Sequence, residues 1–393
     1  MTPPLALDEA QARLLALAPS LPIEPRAVED CAGFYLTEPL VARRTQPAAA
    51  MSAMDGYAVR SGDPGPWRVI GESAAGRPFP TALGASEAAR ISTGALLPEG
   101  ADTILIQEDC RREGDRLAHD SAPPPAGRHV RRAGLDFDLG AELLAAGIRI
   151  GPAQLALAIA AGHHELAVRR RVRLAVIDCG DELCPAGAAV EPHQLPASNG
   201  PMLAAMVAAL PCDVTRIGPL LDRLDALAGA LDATRDADVV VISGGASVGD
   251  HDLVRPALAE VGAELDFWRV AIKPGKPLLV ARRGRQVIVG LPGNPASAYV
   301  TAFLFVLPLL RAALGAAKPW PLPIPARLAA PLPAGGRRIE FLRGRAEQGH
   351  VAPEAAQDSG GLLSLARANA LIRREIEAPV AAPGDIVEVF LLE

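Results

Sequence analysis

DVVVISGGASVGDHD, residues 238–252, decides how this chain folds. Val239–Ile242 is a short run that is apolar at every position, the pattern of a central strand buried on both faces. A loop of Gly, Ser and Asp follows, and residues 253–261 then read as a helix. The same unit extends outward in both directions. Upstream, RLAVI (173–177) is an apolar run ending in DCGDEL, and SNGPMLAAMVAAL (198–210) is helical. VTRIG (214–218) is a strand leading to Asp222, and LDALAGALDA (224–233) is a helix. Downstream lie RVAIKPGKPLLV (269–280) and QVIVGLPGNPASA (286–298), with a helix expected over 296–314. Strands alternating with helices predict a doubly wound parallel sheet with helices on both faces. Open sheets of this kind bind ligands where strands end and loops cluster. The SGGASVGD, KPGKP and LPGNP loops are therefore expected to build one polar, glycine-lined crevice.

The rest of the chain divides around this unit, giving a multidomain α/β plus β fold. Residues 1–40 and 133–170 are read as an N-terminal helical and linking domain. It holds an amphipathic helix over 5–18, capped by Asp8 with Gln11, and a second helix in GPAQLALAIAAG (151–162) with Pro152 near its start. Residues 41–132 change to short β-type runs, WRVI (67–70) and TILIQE (103–108), between Gly/Pro turns, and are read as an inserted β-rich module. Residues 171–317 form the doubly wound domain. KPWPLPIPA (318–326) is a proline-rich link into a small β-barrel-like domain of short strands and turns over 318–393.

Composition narrows the function classes. The chain has 393 residues, half of them hydrophobic, and a net charge of −6. No basic face for nucleic acid is expected from that balance. The longest apolar stretch, Thr301–Leu310, is too short to span a bilayer. The N-terminal residues lack the basic and apolar regions of a secretory signal, so a cytoplasmic location is expected. Five scattered cysteines suggest neither a disulfide frame nor a zinc site.

Three of the 39 basic residues are lysines, and two of those, Lys273 and Lys276, lie in KPGKP. A compact ammonium differs from a planar guanidinium, and Pro274 and Pro277 stiffen the turn. The loop reads as a rigid presenter of positive charge to an oxyanion; the alternative is a solvated surface turn. In SGGASVGD, Ser243, Gly244, Gly245, Ser247 and Gly249 offer flexible backbone close to a helix start, a setting that favours anions. Neither GxxxxGK[ST] nor GxGxxG is present. Asp250 and Asp252 at the loop's end suit a divalent cation such as Mg²⁺, which uses one or two carboxylates plus substrate oxygens; Asp252 alternatively caps the following helix. Asn294 is the expected N-cap of the helix that begins at Pro295, beside Pro292 and Gly293. Asp181 and Glu182 of GDEL follow the first strand, and Asp222 the second.

Taken in order, MDGYA (54–58), ISTGA (91–95), PEGAD (98–102), QED (107–109), GDEL (180–183), SGGASVGDHD (243–252), KPGKP (273–277) and LPGNP (291–295) resemble the molybdopterin molybdenumtransferase family. Bacterial molybdenum-cofactor synthesis proteins and the C-terminal part of gephyrin belong to it. The resemblance implies a Mg²⁺-dependent transferase that takes adenylylated molybdopterin and molybdate and releases AMP. It also implies a homodimer whose active site draws on N-terminal parts of the second subunit. Partners would include other cofactor-synthesis proteins and the apo-molybdoenzymes. Carried over residue by residue, the resemblance assigns catalytic roles to Asp55, Thr93, Glu182, Asp222, Asp252, Lys273 and Lys276. Asp250, Asp252 and Glu182 become metal ligands. Arg269, and Ser359 and Ser364 of DSGGLLSLARAN, join the substrate-binding set. Two departures stand out: Asp178–Cys179 where the family usually has Ser-Thr, and Arg269 where it often has Lys. The alternatives weighed are a molybdopterin adenylyltransferase, which the N-terminal module and last domain oppose, and a gephyrin-like scaffold, which lacks its linker and second module here.

Overall fold

The computed structural model describes residues 3–121, 124–245 and 253–392. The chain opens with α1 (Leu7–Ala16). The expected capping box does not form. Ala6 is the N-cap, and Asp8 falls inside the first turn, where its charge complements the helix dipole. Gln11 Nε2 instead donates to the Leu304 carbonyl at 3.1 Å. Leu7, Ala10 and Leu14 of α1 are buried in the core of the central sheet.

Ile23–Ala27 pairs antiparallel with Glu165–Arg169, so the two ends of the N-terminal region meet over Val28, Phe34, Leu36, Ile150, Ala158 and Leu166. Between them lies a six-stranded sheet built from Gly56–Val59, Trp67–Ser73, Glu87–Ile91, Thr103–Ile106, Cys110–Glu113 and Arg116–His119. TILIQE is a strand only to Ile106, after which Gln107–Asp109 turns as a 3₁₀ segment.

The central unit runs β1 (Val172–Cys179), α2 (Asn199–Met206), β2 (Cys212–Leu220), α3 (Leu224–Ala233), β3 (Val239–Ser243), α4 (Val254–Glu260), β4 (Glu264–Trp268), β5 (Leu279–Arg283), β6 (Gln286–Leu291) and α5 (Pro295–Ala313). The sheet order is β2-β1-β3-β6-β5-β4. The first four are parallel; β5 and β4 extend the sheet antiparallel. Period-two alternation divides the side chains between the faces. Leu174, Val176, Val239, Val241, Val287 and Val289 pack with α1, α2 and α5. Ala175, Ile177, Val240, Ile242 and Ile288 pack with α3 and α4. Helices thus cover both faces.

α5 is longer than the apolar run suggested. Its 19 residues pass for a membrane span by length and composition, but 83% of that window is buried within the protein, which makes it a core helix. It widens to a π-helical turn at Ala302–Val306, and the carbonyl that Gln11 reaches belongs to this turn.

Beyond residue 323, Ile324–Leu328, Ile339–Glu347, His350–Pro353, Ala370–Arg374 and Ile386–Leu391 close into a five-stranded barrel, because Ile339–Glu347 pairs with both His350–Pro353 and Ala370–Arg374. One short helix, α6 (Leu362–Arg367), interrupts it where only strands and turns were expected. Its LLSLAR stretch carries no proline or glycine to oppose helix.

Candidate functional site

The sheet register explains why the loops meet. Asp178 of β1 lies opposite Ser243 of β3, Ser243 opposite Leu291 of β6, and Gly290 of β6 opposite Leu279 of β5. The C-terminal ends of the parallel strands and the N-terminal start of antiparallel β5 therefore share one rim. KPGKP precedes β5 and is brought there by that reversal. The turn does not simply follow a strand of this sheet, as its sequence suggested: Ile272–Lys273 pairs with Ile339–Glu340 of the barrel. KPGKP is a bridge between sheet and barrel.

Two adjoining clefts open along the rim. The first, about 550 Å³, is lined by Asp178, Cys179, Glu182, Asn199 and Asp222, with Gly244, Gly245, Pro292, Gly293 and Asn294 among its backbone walls. The second, about 390 Å³, holds Lys273, Lys276, Arg338 and Arg343, with Gln357, Asp358 and Ser359. Pro277, Pro292 and Asn294 belong to both. One cleft is acidic and the other cationic, and they meet at the start of α5.

Local chemistry builds each wall. Gly244 has φ +95°, and a Cβ there would stand 2.0 Å from the Cys179 carbonyl oxygen, so only glycine fits. Gly275 at φ +107° is equally constrained, since a Cβ there would stand 2.3 Å from Thr301 Cγ2. Asp222 sits on the turn between β2 and α3. Its N–H donates to Asp181 Oδ1 at 2.8 Å, and its Oδ1 accepts from the Cys179 thiol at 3.2 Å. Asn199 Nδ2 donates to Ser243 Oγ and to the Gly293 carbonyl, tying α2 to the β3 and β6 loops. Asp178 is buried and accepts from the Gly200 N–H at 3.1 Å. Burial raises its pKa above the ordinary aspartate value, opposed by that hydrogen bond and by Arg216.

In the cationic cleft, Lys273 Nζ pairs with Glu340 Oε1 at 2.9 Å. Lys276 is exposed, with no ion pair among the described residues. Arg343, only 2% exposed, donates through Nη2 to the Ala356 carbonyl, and burial lowers its pKa. Gln357 clamps the Arg343 backbone at both N–H and carbonyl. Asn294 is the N-cap by position, yet its side chain makes no cap bond. It reaches across to Ser359 Oγ at 2.9 Å, which fastens α5 to the barrel loop.

Several expected contacts lie elsewhere. Ser243 is buried with its hydroxyl engaged by Asn199. Arg269 is buried, with its guanidinium 3.8 Å from the Trp268 ring centroid. Ser364 is buried and donates to the Gly361 carbonyl. None of the three lines either cleft. Asp55 and Thr93 meet each other, the Thr93 N–H donating to Asp55 Oδ1 at 2.6 Å, and the Asp55 carbonyl accepts from Gln107 N–H. MDGYA, STGA and QED therefore converge, but on the N-terminal module and outside both clefts. Ser247, Gly249, Asp250 and Asp252 lie outside the described residues; the N-cap position of α4 is Leu253. Among the described residues no group of three or more His, Cys, Asp or Glu side chains could hold a metal.

Sequence reading missed Arg338, Arg343, Gln357 and Asn199. They carry no motif, and only strand pairing and the α2 packing bring them to the rim.

Three family models match the chain in succession. They are the MoeA N-terminal region (domain I and II) at residues 5–162, the probable molybdopterin binding domain at 175–312 and the MoeA C-terminal region (domain IV) at 325–392. The chain is 32% identical over 397 residues to a molybdopterin molybdenumtransferase of Haemophilus influenzae, covering 98% of each. It is 35% identical to molybdopterin molybdenumtransferase 2 of Mycobacterium tuberculosis, covering 91% of this chain and 90% of that one. A solved molybdopterin biosynthesis MoeA protein from Pyrococcus horikoshii superposes with a TM-score of 0.81 at 30% identity, over 100% of both chains. With all three regions matched in order and relatives aligned end to end, the chain belongs to the molybdopterin molybdenumtransferase family.

Proposed function

We propose that this protein transfers molybdenum to molybdopterin, taking adenylylated molybdopterin and molybdate as substrates and releasing AMP. One observation carries the reading: an acidic cleft and a cationic cleft adjoin at the rim of one sheet and share Pro277, Pro292 and Asn294. A substrate with a phosphoanhydride and a separate doubly negative oxyanion needs both kinds of surface close together.

Lys273, Lys276 and Arg343 would bind molybdate, with Ser359 and Asn294 donating hydrogen bonds at its edge. Fixed cations in a partly closed site stabilise developing negative charge without reorganising. Gly244, Gly245, Pro292 and Gly293 would let the substrate approach the backbone closely, and Ser247 and Gly249 of the same sequence motif would join them in binding it. Ser243 would steady these walls through Asn199, which also holds the Gly293 carbonyl. Glu182 and Asp222 face a phosphate-bearing substrate with like charge, which suits a divalent cation between them. Together with Asp250 and Asp252 they would offer Mg²⁺ the carboxylates it takes, completed by substrate oxygens. Bound Mg²⁺ would supply Lewis-acid polarisation of the phosphoanhydride. Asp55 and Thr93 would complete the site from the second subunit of a homodimer. Such an enzyme would act in the cytoplasm, between other cofactor-synthesis proteins and the apo-molybdoenzymes.

The test is incubation with adenylylated molybdopterin, Mg²⁺ and molybdate while following AMP. Release that needs molybdate is expected. AMP release unaffected by leaving molybdate out, or none at all, overturns the reading.

A further inference from the structure

We infer that Cys179 is a positioning residue: its buried thiol holds the Asp222 carboxylate in the orientation it presents to the acidic cleft. The inference rests on the function proposed above. Cys179 is the last residue of β1 and only 2% exposed. Alternation along the strand puts it on the face of Ala175 and Ile177, which α3 and α4 cover. Its neighbour Asp178 turns the other way and takes the Gly200 N–H at the start of α2. The dipeptide therefore reaches both walls of the cleft from one strand end.

Asp222 needs such a hold. It sits on a short turn between Leu220 and Leu224, half-buried and lining the cleft. Its backbone N–H is fixed by Asp181. Its carboxylate has one side-chain partner among the described residues, the Cys179 thiol at 3.2 Å, with the Leu221 carbonyl 3.7 Å from the same sulfur. A thiol hydrogen can be donated, and the nearby Asp222 Oδ1 and Leu221 carbonyl are both acceptors. With Oδ1 held, the second carboxylate oxygen is left for the cleft. A thiol is a weak donor, so its effect is one of orientation, and a hydroxyl at the same place would serve.

Four variants test this: Cys179→Val and Cys179→Ala, which remove the donor with and without keeping bulk, and Cys179→Ser and Cys179→Thr, which keep one. The expected result is a loss of about tenfold in kcat/KM for molybdate-dependent AMP release in the Val and Ala variants, the scale of one hydrogen bond to a charged group. Ser and Thr should return to within about twofold of wild type. Adding Cys179→Val to Asp222→Asn should cost nothing further, because both act through one carboxylate. Val equal to wild type, Ser as poor as Val, or losses that follow thermal stability across the series overturn the assignment. Crystal structures of the variants give a readout independent of turnover. Asp222 should leave its rotamer in Val and keep it in Ser, and an unmoved Asp222 in Val also overturns it. A wild-type enzyme that releases no AMP would sink the proposed function, while the crystal comparison still decides the role of the thiol.

Discussion

Lys273 Nζ lies 2.9 Å from Glu340 Oε1, so the KPGKP turn is fastened to the barrel by its first lysine. The lysine side chain is still 54% exposed and lines the cationic cleft. The pair orients the ammonium without closing it off, and with the lysine exposed but Glu340 only 14% exposed it contributes on the order of 1 kcal/mol of stability.

Lys273→Ala is therefore expected to fold with a urea midpoint close to wild type. Its molybdate-dependent AMP release should fall by about 10²–10³-fold, the cost of losing one preorganised donor. Lys273→Arg should recover little, since a planar fork does not replace a point charge. Near wild-type turnover in Lys273→Ala would remove this lysine from the machinery.

Gly244→Ala forces a Cβ to within 2.0 Å of the Cys179 carbonyl oxygen at a φ of +95°. Strain in such a conformation costs on the order of 1–3 kcal/mol before the clash is counted. The expected outcome is a lowered denaturation midpoint together with loss of substrate binding, read by urea melts and calorimetry. An unchanged midpoint would show that β1 and the β3 loop can separate without cost.

Asp178 makes stability depend on pH. Burial raises its folded-state pKa above the ordinary aspartate value, so the folded state holds this proton more tightly than the unfolded state. Its contribution is fully present below the unfolded pKa, about 4, and is lost as pH rises through the folded value. Asp178→Asn keeps an acceptor for the Gly200 N–H and removes the titration. Urea melts across pH 4 to 8 should show wild type losing ground to Asp178→Asn as pH rises. Parallel curves would mean that the carboxyl is not perturbed.

Asp238 ties the start of β3 to the strand beside it. Arg170 meets it with both terminal nitrogens at 2.7 Å, and the Arg173 N–H donates to the same carboxylate at 2.8 Å. Its side chain is 13% exposed. Removing it in Asp238→Ala leaves a partly buried guanidinium with only the Arg171 carbonyl and takes the acceptor from the Arg173 N–H, and should cost about 2–3 kcal/mol. Because Asp238 lies at the end of the sheet away from the clefts, turnover at low temperature should be retained. A denaturation midpoint equal to wild type would show that water replaces the pair without loss.

The sequence alone determined the parallel strands of the central sheet. VVVI and RLAVI are short apolar runs bounded by turn residues, and the helix Leu224–Ala233 matches its sequence pattern residue for residue. Such elements are legible because burial imposes a period on side chains that lie near one another in the chain. The ordered motifs named the family, and the glycine and proline turns marked the rim loops. What the sequence left open was where those loops go. KPGKP reaches the rim because β5 runs antiparallel and because Ile272–Lys273 pairs with the barrel. Arg343 enters the cationic cleft from a barrel strand far along the chain, and Asp55 with Thr93 lies outside both clefts. Pairing between distant strands, and the charge environment it creates, depends on register and closure summed over the whole fold. Local periodicity carries no record of either, so only the tertiary structure could decide which charges stand together.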